Sequence, residues 1–485
     1  MDKPLSLISF TSIEVDDPSV KEKSIHTTIT LKKKTGEKET FLLQWKYEQS
    51  VSPDAQPLLR LAALIPLLNY GLFAERFVFH FPLTKADMTL LQELLTVFSR
   101  DIFVNKILRR RTHYILPQYL PDETKVTQQD ASPQALLVPS KIVQDTSLTD
   151  HVDPQRCGIL SSGGKESLFT YGLLKEIGCD VYPFYVNESG GHWRTALPAY
   201  RYHQQTEPNT RRVWTNVDRF YTFMLDHLHF IRSDHRTVWA DTYPIRLCIF
   251  PFYIFLLLPL FVQHKVGNLL MGNEFDDLRS TPEYHGIHHY YGVYDQHQDY
   301  DVVMNRWFSQ RIPGMQQWSA VRWISGLIVE RILVQRYPEL AHYQRSCHSC
   351  HIENGEIIPC GTCSKCMGVL LFLIANKADP TIMKFQEKDI RSFHQRVKPS
   401  NLRLDQDEKE QSFYLIKQKD NAEISPVDHV EQLHICEATC DPSYVPEHLR
   451  KPLFNILEHY TKGYCQLQKE HWVPIEKRKL PILCC

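Results

Sequence analysis

The sequence predicts an α/β protein, a doubly wound parallel sheet with a cysteine-stapled segment, preceded by a small N-terminal α+β domain. Three observations predict it. From Cys157 the chain reads strand, glycine turn, helix, strand, the order of a parallel α/β unit. Of the 13 cysteines, five crowd into Cys347 to Cys366. Before Cys157 the pattern is different, with β-rich runs and helical stretches that carry no recognisable catalytic constellation. A length of 485 residues calls for two or three domains. A hydrophobic fraction of 43% excludes a mostly disordered chain. With 55 Lys+Arg against 56 Asp+Glu the net charge is -1, so nucleic acid is not expected as a partner.

The expected N-terminal domain covers residues 1–121. Ile25 to Leu31 and Thr40 to Tyr47 are β-rich and flank the polar turn KKKTGEKE, which reads as a hairpin. A helix follows from about Pro57, then a strand at Arg76 to Phe81, then a helix whose Thr84 and Asp87 form a capping pair. Arg109, Arg110 and Arg111 read as a solvated basic turn. Residues 122–155 are polar and poor in aromatics, as linkers are. The α/β domain is expected over 156–385 and a C-terminal extension over 386–485, with a helix at Leu449 to Tyr460. The opening residues lack the apolar core of a secretory signal. Leu247 to Val262 is very apolar, yet it contains Pro251 and Pro259 and falls short of the ~20 residues a bilayer span needs. A buried helix and a cytoplasmic protein without a membrane partner are the expectations.

In CGILSSGGKES, a strand at 157–160 runs into a loop at 161–166 and a helix over about 167–177, with Gly178 at its C-terminal cap. Gly163 and Gly164 permit a tight turn that aims N–H groups inward, and the helix N-terminus adds positive potential, which suits a polyphosphate. Ser161, Ser162 and Ser167 offer hydroxyls, and Lys165 offers a charge. This is not a Walker motif, which needs GxxxxGK[ST]. Downstream, Cys360, Cys363 and Cys366 form CGTCSKC. Such a turn gathers three thiolates, and a fourth closes a tetrahedral site of the structural zinc type, with an iron–sulfur cluster as the metal alternative. Spacing leaves Cys347 and Cys350 both open as the fourth ligand.

SGGKES resembles the SGGxDS loop of the PP-loop ATP pyrophosphatases, an adenine nucleotide alpha hydrolase-like fold, with Glu166 where Asp is usual. That loop together with a downstream Cys…CxxCxxC is similar to the 7-cyano-7-deazaguanine synthase family. The resemblance covers about Gly158 to Leu371. It implies ATP, Mg2+ and Zn2+ as cofactors, with zinc held by Cys347, Cys360, Cys363 and Cys366, since Ser346-Cys347 matches the family context. It implies that Ser161 through Ser167 hold the phosphates and that Ser162, Lys165, Glu166 and Asp276 serve catalysis. Pro244 and Arg246 match the family's P-x-R segment, which makes Arg246 a phosphate or carboxylate partner. Leu269 to Asp276 is similar to the strand ending in G-x-N-x-x-D where nucleobase and ATP meet. The implied activity joins a deazapurine-like carboxylate to AMP with release of pyrophosphate, and ammonia or an amine then displaces AMP. The alternatives are another PP-loop thiolation or amidation, or a nucleotide-binding module without turnover.

The His/Tyr/Asp-rich run Glu283 to Asp301 reads either as a pocket lining or as a polar surface loop, and Asn187, Glu188 and His192 are weaker pocket candidates. The N-terminal domain and the C-terminal extension fall outside the family pattern. Enlarged relatives of this kind are accessory proteins of bacterial antiviral defence, which implies a protein partner bound through these extra regions, and oligomerisation is open. The terminal Cys484 and Cys485 read as exposed thiols, because a CaaX box is absent.

Overall fold

The computed structural model describes residues 6–479 apart from 110–113, 238–244, 276–282, 398–401, 403 and 418–424. The chain forms two compact units, each assembled from separated stretches. The first takes Met1–Val152, Val213–Lys265 and Ser280–Met315, and the second takes Asp153–Arg212, Val266–Arg279 and Gln316–Cys485. This partition differs from the expected linear one: residues 213–265 and 280–315 cluster with the N-terminal segment, and the C-terminal extension clusters with the α/β segment. Residues 122–155, expected as a linker, carry the strand Leu136–Pro139, which pairs in parallel with Arg76–Phe79. Exposed Leu136 and Val138 on that strand explain its weak core signal in the sequence.

In the first unit, the hairpin expectation holds. Ser24–Lys33 pairs antiparallel with Lys38–Tyr47, with Ile25, Ile29, Leu31, Leu43 and Trp45 buried by alternation. Thr84 caps helix Lys85–Ile102 through a complete capping box with Asp87. The apolar run folds as helix Phe250–Gln263, buried on nearly all sides. Pro251 falls in its first turn, where no intrahelical N–H is needed. No helix among the described residues is long and apolar enough to cross a membrane.

The second unit is a parallel α/β layer. Its strands are β1 (Asp153–Leu160), β2 (Asp180–Asn187), β3 (Val266–Leu270) and β4 (Gln316–Trp318). They lie in the order β4-β3-β1-β2, all parallel. Helix α1 (Lys165–Glu176) connects β1 to β2, and Gly178 ends it at φ +87°, a left-handed turn that a side chain would resist. Helices α2 (Gly190–Thr206), α3 (Gly326–Arg336), α4 (Ser364–Ala375) and α5 (Gln406–Lys417) complete the elements used below. Ile159, Leu168, Phe169, Val181, Leu270, Trp318, Ile328 and Leu370 share one buried core. Buried Asn268 on β3 is satisfied from both sides, accepting from Trp318 Nε1 at 3.0 Å and donating to Pro154 O at 2.7 Å.

β2 pairs with one edge of β1 and β3 with the other, so the chain switches direction at β1. Ligands of open parallel sheets bind beyond the carboxyl ends of strands at such a switch. The loop at 161–164 leaves β1 there, and Met271 to Phe275 leave β3 beside it.

Candidate functional site

Local sequence explains the shape of the loop. Gly163 has φ +76°, and a Cβ built on it would lie 3.2 Å from Ala196 Cα and 3.4 Å from Thr195 O. Only glycine meets both demands. Gly164, the residue preceding α1, has an ordinary φ of -85°. Of the two glycines, Gly163 is therefore the conformationally required one. Ser162 Oγ accepts from Gly164 N at 3.3 Å, while Ser167 Oγ accepts from Ser162 N at 3.4 Å and donates to Gly164 O at 3.2 Å. The serines thus fold the loop on itself. The first bond of α1 runs from Leu168 N to Gly164 O at 3.2 Å, so the N–H groups of Lys165, Glu166 and Ser167 precede it, at the positive end of the helix.

Lys165 does not project freely. Its ammonium is paired with the carboxylates of Glu166 and Glu274. Glu274 comes from the end of β3, and its approach depends on two glycines. A Cβ on Gly272 would lie 2.5 Å from Glu166 Cβ, and one on Gly326 would lie 2.7 Å from Glu274 Oε2 and 3.2 Å from Lys165 Cε. Burial opposes the charge on Lys165, but the two carboxylates hold its pKa above the ordinary lysine range. Burial also pushes Glu166 up, yet Lys165 and the hydrogen bond with Glu274 bring it down to about 2. Glu274 goes the other way, raised well above its ordinary value by burial and by the charges of Glu166 and Glu408. The three groups are coupled: Lys165 favours the charged form of Glu166, and the charge on Glu166 disfavours that of Glu274. A polyphosphate meets no net positive charge from these side chains.

Two more carboxylates complete the surroundings. Glu330 on α3 is fully buried, accepts from Gln344 Nε2 at 3.1 Å and is raised to about 7, first by burial. Glu408 on α5 accepts from Gly326 N at 2.5 Å. Sequence reading missed Glu330 and Glu408, since nothing local marks either. Glu274 stood inside the acidic stretch that did attract attention, two positions before Asp276. Asp276 itself, with Tyr243 and Pro244, lies outside the described residues. Ser161 is buried, and its N–H donates to Phe184 O at 2.8 Å. Arg246 belongs to the first unit, where its guanidinium lies 5.4 Å from the Tyr221 ring centroid and 3.6 Å from Asp218. The run 283–301 is also in the first unit. There Arg109 sits in a turn and is exposed, as expected, and its guanidinium lies over the rings of Tyr284 and Tyr291, while Arg110 and Arg111 fall outside the described residues.

The cysteines converge. The sulfurs of Cys347, Cys360, Cys363 and Cys366 all lie within 4.8 Å of one another. Separations of 3.3 Å for Cys347–Cys360, 3.5 Å for Cys347–Cys363 and 3.8 Å for Cys360–Cys366 are close to the ~3.8 Å edge of a tetrahedron with metal–sulfur bonds of ~2.3 Å. Backbone N–H groups already support the sulfur charge, from Cys363 to Cys360 Sγ and from Cys366 to Cys363 Sγ, both at 3.4 Å. By accepting from Cys366 N, Cys363 Sγ caps α4. Four thiols at these spacings can hold a metal ion. Cys350 is buried next to them but stands outside the quartet. His192 packs its ring 4.0 Å from that of His348, and Asn187 Oδ1 accepts from Ser189 N at 2.8 Å, so both serve local structure on the sides of this region.

No family model matches the chain, and no curated protein or solved structure matches it either.

Proposed function

We propose that the chain is an ATP-dependent enzyme of the PP-loop type. On this reading it activates a carboxylate of the 7-carboxy-7-deazaguanine kind, releasing pyrophosphate and then AMP, and its four cysteines hold zinc. The observation that supports this reading is the Gly163 turn at a parallel switch point, with the start of α1 on one side and Glu274 from β3 on the other. A carboxylate is a poor electrophile because its oxygens share the negative charge and hydroxide leaves badly. Its oxygen attacks the α-phosphorus of ATP, the bond to pyrophosphate breaks, and the acyl group is joined to AMP. Ammonia or an amine then attacks the acyl carbon and AMP departs. The loop N–H groups and Lys165 bind the departing pyrophosphate, and stabilising developing charge of this kind dominates many active sites. Glu166 and Glu274 would hold magnesium, which would supply the positive charge that the neutralised trio lacks.

The test is nucleotide chromatography after incubation with labelled ATP, magnesium and the deazapurine acid, with Ser162→Ala as control. AMP and pyrophosphate are expected. ADP as product defeats the mechanism, and AMP formed only with an unrelated acid defeats the substrate class alone. The capture of Lys165 by two carboxylates favours a second reading, a nucleotide-binding module without turnover. Stoichiometric ATP binding without pyrophosphate release would select it.

A further inference from the structure

We propose that Thr195 and the backbone of Arg345 are positioning groups that tie the four-cysteine centre to the loop, so that metal in the centre fixes the conformation of Gly163. All parts of the linkage lie in the second unit. On one side, Arg345 N donates to Gly163 O at 2.9 Å, two residues before the ligand Cys347. Arg345 is itself immobilised. Its guanidinium donates to Ile357 O at 2.8 Å, His342 O at 3.0 Å and Gln344 O at 2.6 Å, and the residue is 5% exposed. On the other side, α2 backs the glycine turn through Thr195 O and Ala196 Cα, the atoms a Cβ on Gly163 would meet.

The same helix turn is fastened to the cysteine segment. Thr195 Oγ1 lies 2.9 Å from both Gly191 O and Cys347 O, so one hydroxyl proton is shared between a helix carbonyl and a ligand's carbonyl. Arg194 Nη1 donates to Cys350 O at 3.2 Å. Gly191 leaves no room for a side chain there, since its Cβ would fall 2.8 Å from His348 O. Gly163 is thus gripped between two elements that both terminate on the Cys347–Cys350 turn. Without a cation the cysteines take up protons and lose the bonds that hold them together, so losing the metal opens that turn and slackens both grips. A residue at φ +76° depends on such support, because its flexible alternatives are numerous.

The proposal rests on the phosphate-loop reading only for what the loop binds, and the experiment separates the two. The full chain is compared as wild type, as Thr195→Val and as Thr195→Ser. Bound metal is counted, hydrogen exchange is followed in the peptide spanning 161–167, and affinity for magnesium pyrophosphate is measured by calorimetry. Thr195→Val should keep its metal, exchange faster in 161–167 and bind pyrophosphate about fivefold more weakly, the effect of one hydrogen bond. Thr195→Ser, which keeps the hydroxyl, should behave as wild type. Chelator treatment of the wild type should accelerate exchange in the same peptide. Unchanged exchange in 161–167 after both Thr195→Val and metal removal overturns the linkage. A wild type that binds no pyrophosphate, yet shows the exchange response, overturns the phosphate reading and leaves the linkage standing.

Discussion

The cysteine centre and the glycine loop, both in the second unit, solve opposite electrostatic problems. Around the centre, four sulfurs converge, supported by backbone N–H groups and the Thr362 hydroxyl. Around the loop, Lys165, Glu166 and Glu274 neutralise one another. The first site is incomplete without a cation and should gain folding free energy from one. The second is complete by itself, so a ligand there must displace internal ion pairs and contributes less to folding. Removing a metal ligand should therefore damage the fold, whereas removing a loop determinant should damage binding.

The largest effect tests the first half of that contrast. Cys363→Ser removes a metal ligand, while the serine hydroxyl can still cap α4, so the loss reports the metal site. Metal content should fall from about one ion per chain to background, and the protein should lose several kcal/mol of stability, read by urea unfolding, or precipitate. A soluble, fully stable variant would show that the centre is not structural.

Gly163→Val addresses the second half. The substitution adds a β-branched side chain at a positive φ and against Ala196, at a cost of roughly 1–3 kcal/mol. Calorimetry should find ATP affinity lowered by more than about a hundredfold with circular dichroism unchanged. Gly164→Ala, at an ordinary φ, should lose much less. Equal losses at both positions would remove the distinction between the two glycines.

Glu330→Gln sharpens the contrast through pH. The folded pKa of Glu330 is about 7, above its ordinary 4.5. The stability that its proton contributes is fully present below pH 4.5 and is lost as pH rises through 7. The amide cannot ionise, so the variant should match wild type near pH 4.5 and exceed it at pH 8, by up to about 3 kcal/mol. Parallel pH curves for the two proteins would refute a buried proton on Glu330.

The smallest effect is expected at Cys350→Ser. Cys350 stands outside the quartet, so metal content should stay at about one ion per chain. Cys347→Ser should lose the metal. The reverse result would exchange the roles of the two cysteines.

What the sequence determined by itself is local. The β1–glycine turn–α1–β2 order, the hairpin near the N-terminus, the Thr84 capping box and the cysteine turn are all legible in the sequence. Each depends on residues a few positions apart, whose periodicity, capping and turn chemistry act over short stretches of chain. Spacing leaves Cys347 open against Cys350, because three residues cannot decide which sulfur a folded turn points inward. Tertiary structure decided that, and it decided everything that depends on distant elements meeting. Glu274 reaches Lys165 only because β3 lies beside β1 and because Gly272 and Gly326 leave room. Glu330 and Glu408 come from α3 and α5, far along the chain, and nothing near them in sequence records the charge they face. The division into two discontinuous units was illegible for the same reason: composition changes along the chain, whereas a compact unit is defined by contacts that cross it.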